Sequence, residues 1–316
     1  MSDLPSRVAI FEEGPREGFQ TGPSVPTADK VRLIDALAGT GLAQIDCTSF
    51  VDRRWVPQMA DAEAVAASVR ARPGVRLVSL WLNAAGFLRA LATPLDPAPM
   101  VLCSVSDALA RANNGCSAAE LVRKQGRLVA LYREHGLRLE AAHVSAAFGC
   151  HVEGRIDAGK TLATLESLLQ VCLEHGGLPE IVYFSDTVGA ATPESVTELV
   201  VRARSRWPEQ AFALHLHDTR GMGLANAYAG LRLGVTRFDA SIGGMGGCPF
   251  AGNVGAAGNV CTEDLALMCE EMGVATGLDL GALAECARMA EAIVGRPLPG
   301  RLMKVGRLGR GAATTA

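Results

Sequence analysis

Short apolar runs alternate with longer amphipathic segments along most of the chain. Eight of these runs have the length of buried strands, and a segment with helical periodicity follows each of them. The predicted strands span residues 8–12, 43–47, 75–82, 100–104, 138–145, 180–185, 211–217 and 237–241. The helices predicted to follow them span residues 27–38, 61–70, 84–92, 117–135, 158–175, 193–206, 224–233 and 262–272. Eight strand-then-helix units predict an α/β fold, the TIM (β/α)8 barrel.

Domain organisation follows from the same pattern. The chain has no Ser-rich linker or low-complexity block that would divide it. We therefore predict a barrel domain over residues 1–275 and a short C-terminal helical extension over residues 276–316. The extension contains one more amphipathic helix near residues 280–293, packing on the barrel or trailing from it. Its last residues, 310–316, are predicted to form a flexible tail.

Composition excludes several classes of function. The 316 residues are 49% hydrophobic, with 30 basic and 33 acidic side chains and a formal net charge of -3. No basic stripe suggests a nucleic-acid partner, and no apolar stretch is long enough to span a membrane. The nine cysteines are scattered without a C-x-x-C pair, which favours a reducing compartment over a disulfide framework. No signal peptide is evident either, so we predict a cytoplasmic protein.

The most informative chemistry is a pair of histidines, His215 and His217, in the seventh predicted strand, with Asp218 directly after them. Strand side chains alternate between faces with a period of two, so both imidazoles should point the same way. Two such histidines at the end of a strand can bind a divalent metal. A half-buried pair without any metal is the alternative that this short motif leaves open by itself.

Polar residues also follow most of the other predicted strands. TIM-barrel active sites are built where the strands end, so these residues should converge. Strand one runs into Glu12–Gln20, strand two carries Asp46, strand six ends at Asp186, and a glycine-rich segment with Cys248 follows strand eight. Carboxylates, a guanidinium, imidazoles, an amide and a thiol are thus predicted at one end of the barrel. His143 and His151 are interpreted as structural rather than as ligands.

Six motifs resemble those of the 3-hydroxy-3-methylglutaryl-CoA lyase family, which belongs to the metal-dependent barrel lyases and Claisen synthases. They follow in the family's order from about residue 8 to residue 304. They are G-P-R-E-G-F-Q (14–20), D-C-T-S-F-V with W-V-P-Q-M-A-D (46–61), F-G-C…E-G-R (148–155), S-D-T-V-G (185–189), H-L-H-D-T (215–219) and G-G-C-P-F…G-N-V-C-T-E-D-L (246–265). The resemblance is weakest over residues 82–138. The last motif is specific to the lyases.

The resemblance implies a divalent-metal site. Glu17, His215, His217 and Asn259 match the family's ligands. Two imidazoles, a carboxylate and an amide with open positions suit Mg²⁺ or Mn²⁺. The same resemblance implies an acyl-CoA substrate and a homodimer.

It also implies catalytic and substrate-binding residues. Arg16 matches the arginine that stabilises the enolate oxygen, and Cys248 matches the catalytic cysteine of a mobile glycine-rich loop. Asp46 and Asp186 are candidates for positioning or proton transfer. Gln20 and Arg220 are the predicted substrate-binding residues. The other eight cysteines are interpreted as structural.

Three departures from the family pattern concern the substrate. Arg220 stands where the family has Tyr, which places an additional cation at the mouth of the barrel. Asn259 follows Cys248 by eleven positions, two more than is usual, and Asn253 lies close by as a second amide. Glu17 and Asp46 invert the family's usual choice of Asp and Glu at their positions.

The predicted reaction is a metal-dependent retro-Claisen cleavage of a 3-hydroxy-3-methylglutaryl-CoA-like substrate to acetyl-CoA and a keto acid, acetoacetate for the parent compound. Three alternatives stay open from the sequence. One is a lyase for a related branched or dicarboxylic 3-hydroxyacyl-CoA, which Arg220 and the longer loop favour. Another is a Claisen synthase of the isopropylmalate or homocitrate type. The last is a non-catalytic protein that binds CoA or metal.

Overall fold

The fold is a barrel of eight parallel strands, seen in a computed structural model that describes residues 4–246 and 258–307. The strands are β1 (Ala9–Glu12), β2 (Gln44–Ser49), β3 (Arg76–Leu80), β4 (Met100–Ser104), β5 (Ala141–Ser145), β6 (Ile181–Ser185), β7 (Ala211–His215) and β8 (Arg237–Ala240). Each coincides with one predicted strand to within a few residues. His217 lies just beyond β7 rather than inside it.

Helices follow the strands and cover the outside of the sheet. They are α1 (Thr27–Leu37), α2 (Ala62–Ser68), α3 (Ala84–Leu91), α4 (Asp107–Asn114), α5 (Ala118–Glu134), α6 (Ala158–His175), α7 (Pro193–Arg206), α8 (Gly223–Arg232), α9 (Thr262–Glu271), α10 (Leu280–Val294) and α11 (Leu302–Val305). Short elements add a π-helical turn at Gly14–Gly18, 3-10 turns at Pro57–Met59 and Ile242–Gly244, and a small hairpin at Gly149–Cys150 and Gly154–Arg155.

Helix α4 is the main element that the sequence pattern did not predict. It is only two turns long and mostly polar, so its periodicity is weak beside that of α5. Local capping defines it instead. The Ser106 side chain accepts a hydrogen bond from the backbone N–H of Leu109, and Gly115 ends the helix at φ 65°. Asp107 then accepts from the N–H of Ala118 and joins the start of α4 to the start of α5.

The strand order is β3-β2-β1-β8-β7-β6-β5-β4, so the first and eighth strands pair in the middle of the sheet. The two edge strands are β3 and β4, and no ladder joins them within the described residues. Helix α5 covers the β4 edge, where the Gln125 side chain accepts a hydrogen bond from the N–H of Leu102. Arg76 on β3 spans the gap by pairing with Glu140 as well as Asp96.

The gap is filled by aromatic side chains. Trp81, Phe87 and Tyr132 are buried together, with ring centroids 5.3 Å apart for Trp81 and Phe87 and 4.9 Å apart for Phe87 and Tyr132. The Trp81 indole donates a 2.7 Å hydrogen bond to the Tyr132 hydroxyl, which donates to the carbonyl of Met100 at 2.8 Å. Both polar atoms are therefore satisfied where they are buried.

The two faces of the sheet differ in chemistry. Outward-facing residues such as Val144, Val182, Phe184 and Phe238 pack into one large apolar core beneath the helices. Inward positions carry polar groups: His143 on β5, Tyr183 on β6 and Asp239 on β8. We call the end of the barrel at which the strands finish the mouth.

The C-terminal segment packs on the barrel. The N–H of Asp279 donates to the carbonyl of Thr40, the N–H groups of Arg301 and Leu302 donate to Asp264, and α10 contributes Leu283 and Ala287 to the main core. The domain boundary at residue 275 stays a prediction, and residues 308–316 lie outside the described part. Among the helices that the structure describes, none has the length and apolarity needed to cross a membrane.

Candidate metal centre and active site

The π-helical turn after β1 places Arg16 and Glu17 at the mouth. Its backbone closes where the N–H of Glu17 donates to the carbonyl of Glu13 at 2.7 Å. Gly14 allows this close packing, because a Cβ there would lie 2.6 Å from Glu12 Oε1. Glu12 in turn accepts hydrogen bonds from the N–H groups of Gly14 and Ile242, so it joins this turn to the segment after β8.

Glu17, His215 and His217 meet as a cluster that could hold a metal ion. The two imidazoles face each other, with 3.3 Å between their Nε2 atoms. Glu17 lies across from both: its Oε1 is 3.1 Å from His217 Nε2 and its Oε2 is 3.6 Å from His215 Nε2. All three side chains are at least nine-tenths buried. The alternation expected of an H-x-H pair thus brings both rings to one carboxylate.

Asn259 lies beside this cluster and has an unsatisfied side chain. Its backbone bridges to His217, and a Cβ placed on Gly246 would touch both its Nδ2 and Glu17 Cγ. Both polar atoms of its amide are buried without a hydrogen-bond partner among the described residues. A buried amide that is left unpaired costs free energy, so this group needs a ligand.

Asp239 supports His215 from below and was missed by the sequence reasoning. Its Oδ2 lies 3.1 Å from His215 Nδ1, which fixes the ring and directs Nε2 towards Glu17. Burial lowers the pKa of His215, but Asp239 and Glu17 outweigh that effect and raise it to about 9. The available signal was an aspartate in the middle of an apolar strand, R-F-D-A.

Arg16 is surrounded by three carboxylates. Its Nε donates to Asp46 at 2.9 Å, its Nη1 donates to Glu17 at 3.2 Å, and its Nη2 pairs with Glu13. Although burial opposes the charged form, these acids raise the pKa of Arg16 further above its ordinary value. Glu13 is the second residue of the site to which the sequence analysis assigned no catalytic or ligand role.

The site holds more acid than base. Burial and the neighbouring Glu13 raise the pKa of Asp46 well above its ordinary value, and its Oδ1 has no partner in the described region. Glu17 differs: burial opposes ionisation, but His217 and Arg16 hold its pKa well below the usual range. A divalent cation would offset this surplus of carboxylates, so the donor set and its charge fit a metal.

Asp186 lies at the end of β6 on the His217 side of the site. It is buried and accepts hydrogen bonds from the N–H groups of Ala190 and Ala191 at 2.6 and 3.1 Å. Burial raises its pKa, and the nearby His217 partly offsets that rise. Asp46 and Asp186 thus belong to different strands. Asp46 contacts Arg16, and Asp186 lies beside His217.

The remaining predicted residues lie further out or outside the described part. Arg220 is exposed at the mouth, where its Nη1 donates to the carbonyls of Val188 and Gly189 at 2.6 and 3.1 Å. Gln20 is half-buried in the turn that follows Gly14–Gly18. Cys248 and Asn253, with the predicted loop around them, lie outside the described residues. The eight described cysteines are all buried and free.

Fold and site together define a class of protein: a TIM-barrel enzyme with a candidate divalent-metal centre of two histidines and a carboxylate at its mouth. The chain belongs to the HMGL-like family, which it matches over residues 7–290. This confirms the family resemblance on which the sequence interpretation depended.

Two relatives that match most of the chain are HMG-CoA lyases. A 3-hydroxy-3-isohexenylglutaryl-CoA/hydroxymethylglutaryl-CoA lyase of Pseudomonas aeruginosa is 34% identical over 304 residues, which is 96% of this chain and 98% of the relative. The solved structure of the Bacillus subtilis HMG-CoA lyase has a TM-score of 0.88 at 34% identity, covering 96% of this chain and 99% of its own.

A third structure contains ligands. An HMG-CoA lyase from Acinetobacter baumannii, in complex with coenzyme A and 3-methylmalate, has a TM-score of 0.87 at 34% identity and covers 96% of this chain and 97% of its own. The predicted TIM barrel and the predicted class of enzyme, a carbon–carbon lyase, are confirmed by these relatives.

Proposed function

We propose that the protein cleaves 3-hydroxy-3-methylglutaryl-CoA, or a close analogue, into acetyl-CoA and a keto acid. The single observation that carries the proposal is the juxtaposition of Arg16 with the cluster of Glu17, His215 and His217. It joins a group able to hold a cation with a fixed guanidinium, at the mouth of a barrel of the HMGL-like family. The names and ligands of the relatives support an acyl-CoA substrate.

Glu17, His215, His217 and Asn259 are the proposed metal ligands. Asn259 is included because its buried amide has no other partner among the described residues. Oxygen and imidazole donors with open positions for substrate favour Mg²⁺ or Mn²⁺. When bound there, the cation would polarise the substrate's oxygens as a Lewis acid and fix their orientation.

Arg16 is proposed to stabilise the negative charge of the departing acetyl-CoA enolate. A guanidinium has five N–H groups, and the three carboxylate contacts fix its plane without using all of them. A preorganised donor of this kind contributes roughly 3–4 kcal/mol to transition-state stabilisation. Glu13 and Asp46 hold the guanidinium in place before substrate binds, so little reorganisation is needed.

Asp46 or Asp186 is proposed to act as the base that removes the proton of the 3-hydroxyl group. Cys248 is proposed to donate a proton to the enolate. Both aspartates are buried beside the site, and burial raises the pKa of each, which makes each carboxylate a stronger base. Gln20 and Arg220 are the proposed contacts of the substrate. Cys248 is proposed from its motif alone.

The state and location of the protein are also proposed. The family resemblance supports a homodimer, and the buried free cysteines of the described region support a reducing, cytoplasmic environment. The absence of a basic stripe and of a long apolar stretch in the sequence supports a protein without nucleic-acid or membrane partners. Light scattering on the purified protein tests the dimer.

The proposed reaction is tested by incubating purified protein with 3-hydroxy-3-methylglutaryl-CoA and Mg²⁺ or Mn²⁺ and measuring acetyl-CoA. We expect metal-dependent release that a chelator abolishes and that Cys248→Ala lowers by about 10²-fold or more. Cys286→Ala, on α10 and outside the candidate site, is the matched control and should keep full activity. Binding of metal and CoA without turnover would instead identify a non-catalytic protein. Net formation of the acyl-CoA from acetyl-CoA and a keto acid would favour a synthase.

A further inference from the structure

Two aromatic rings lie inside the barrel just below the mouth. His143 on β5 and Tyr183 on β6 are paired in register, and their rings stack with centroids 4.6 Å apart and planes 8° apart. Their neighbours along the strands, Val144, Val182 and Phe184, face the helices and belong to the main core. Strand alternation therefore directs both rings to the interior of the barrel.

Beyond the stacked pair, the next large side chain across the barrel interior is that of Arg237. The strand register sets Tyr183 opposite Ala213 on β7 and Phe238 opposite Leu214, so Arg237 lies in the same inward row, one strand beyond Ala213. Arg237 in turn lies over the ring of Phe11, 4.8 Å from its centroid. The series His143, Tyr183, Arg237, Phe11 thus crosses from β5 to β1. We call these four side chains the interior layer.

This layer lies directly beneath the candidate catalytic groups. Along β6, Tyr183 is two residues before Ser185, which pairs in register with His215. Burial lowers the pKa of His143 to about 3, and the charges of His215 and Arg16 add to that effect. Phe11 is paired in register with Asp239, which supports His215.

We propose that the interior layer closes the barrel below the site and restricts the enzyme to 3-hydroxyacyl-CoA substrates with a short substituent on C3. This inference rests on the proposed function. The CoA moiety is too large for the barrel interior and must lie outside the mouth. A group on C3 that extends away from the thioester therefore points down towards His143 and Tyr183.

Both space and polarity disfavour a long apolar substituent there. Tyr183 is only 3% exposed, so the stacked rings already fill the volume that such a chain would need. Entry would also desolvate the partly exposed Arg237 without giving it new hydrogen bonds. The Pseudomonas aeruginosa relative is named for an isohexenyl as well as a methyl substrate, so the length of this substituent is a real variable among these lyases.

The test compares kcat/KM for 3-hydroxy-3-methylglutaryl-CoA, its 3-ethyl and 3-butyl analogues and the 3-isohexenyl compound. For the unmodified metal-loaded enzyme we expect a steep fall with length, with the methyl substrate preferred over the isohexenyl substrate by about 10²-fold or more. Tyr183→Ala and the double variant with His143→Ala should reduce that preference by about tenfold or more, because they open the interior. Phe184→Leu, the next residue on β6 but facing the helices, is the matched control and should leave the preference unchanged.

Equal cleavage of the methyl and isohexenyl substrates by the unmodified enzyme would overturn the proposal while leaving the lyase function intact. An unchanged preference in folded Tyr183→Ala protein would overturn it too. Failure to cleave any member of the series would refute the proposed function itself. The length profile of the unmodified enzyme decides the question even if the variants do not fold.

Discussion

The two halves of the barrel are stabilised by different interactions. We call the half around β1, β7 and β8 the charged side, because Glu13, Arg16, Glu17, Asp239 and the two histidines are buried there in mutual contact. The half around β3, β4 and α5 is the aromatic side, because Trp81, Phe87 and Tyr132 fill the gap between the two edge strands. The charged side concentrates buried acids. On the aromatic side, each polar side-chain atom of the three aromatic residues has a hydrogen-bond partner.

This difference separates function from stability. Buried carboxylates that repel one another raise the free energy of the folded protein unless a cation neutralises them. Buried aromatic rings with satisfied hydroxyl and indole groups lower it. We therefore expect substitutions on the charged side to change activity far more than folding, and those on the aromatic side to do the reverse. The following substitutions test this separation.

The largest expected effect is on the charged side. His217→Ala should lower kcat/KM by about 10³-fold or more, because a cation worth several kcal/mol to the reaction would lose a ligand. The free energy of unfolding of the metal-free protein should fall by only about 1–3 kcal/mol, because Glu17 loses one buried partner but keeps Arg16. Acetyl-CoA release measures kcat/KM, thermal melting measures stability, and metal content shows whether the cation is still bound. His151→Ala, an exposed histidine near the same mouth, is the control, and an equal loss of activity in it would contradict the assignment.

On the aromatic side, Trp81→Ala should destabilise the fold by about 3–5 kcal/mol through the cavity it leaves. Tyr132→Phe, which only breaks the two hydrogen bonds through the hydroxyl, should cost about 1–3 kcal/mol. In both folded variants kcat should remain close to that of the unmodified enzyme. Urea denaturation and the lyase assay check these values. If the loss of kcat in Tyr132→Phe, expressed as a free energy of activation, exceeds its loss of stability, the separation of function from stability is contradicted.

A buried acid behind the charged side, next to the segment that follows β8, makes stability depend on pH. Glu263 on α9 accepts from the N–H of Gly243 through Oε2, while its Oε1 has no partner within the described region. Burial raises its pKa from 4.5 to about 8. Its protonated form is the one that the fold favours, so stability is greatest below pH 4.5 and falls as the pH rises through 8.

Glu263→Gln should remove this dependence. At pH 9 the variant should be more stable than the unmodified protein by roughly 2–4 kcal/mol, and near pH 5 the two should be similar. Melting temperatures of the two proteins, each measured over that pH range, give two curves whose separation reports this difference in stability. Parallel curves would mean that Glu263 ionises normally in the folded protein.

The smallest effect is expected at the rim of the charged side. Arg220 is exposed and held by two backbone carbonyls, so it can contact an anionic part of the substrate without affecting the core. Arg220→Tyr should raise KM by about three- to fivefold and leave kcat unchanged, since exposed charge pairs are worth up to about 1 kcal/mol. Arg202→Ala, an exposed arginine on α7, is the control. Unchanged KM and unchanged substrate choice would exclude a role for Arg220.

The sequence predicted the barrel and the pair of facing histidines because both depend on local rules, whereas Glu17 was predicted as a ligand from the family resemblance. Strand length and helical period define the eight units, and alternation makes His215 and His217 neighbours. Asp239 was not predicted because its role depends on the register between β7 and β8, which sets it opposite His215. Glu13 lies only three residues before Arg16, but the π-helical turn that brings their side chains together is too short to show a periodic pattern. Helix α4 was missed because side-chain caps define it rather than an apolar face.

The sheet order also has a kinetic consequence. Since β3 and β4 are the edges, the strand pairing that joins the first three strands to the rest is the one between β1 and β8. Contacts between distant parts of a chain form late, because closing a long loop costs entropy before any contact compensates it. Residues 4–80 should therefore dock last, onto a partly formed sheet of the other five strands. Arg16 and Glu17 arrive with that segment, so the protein should acquire its activity only in its final folding step.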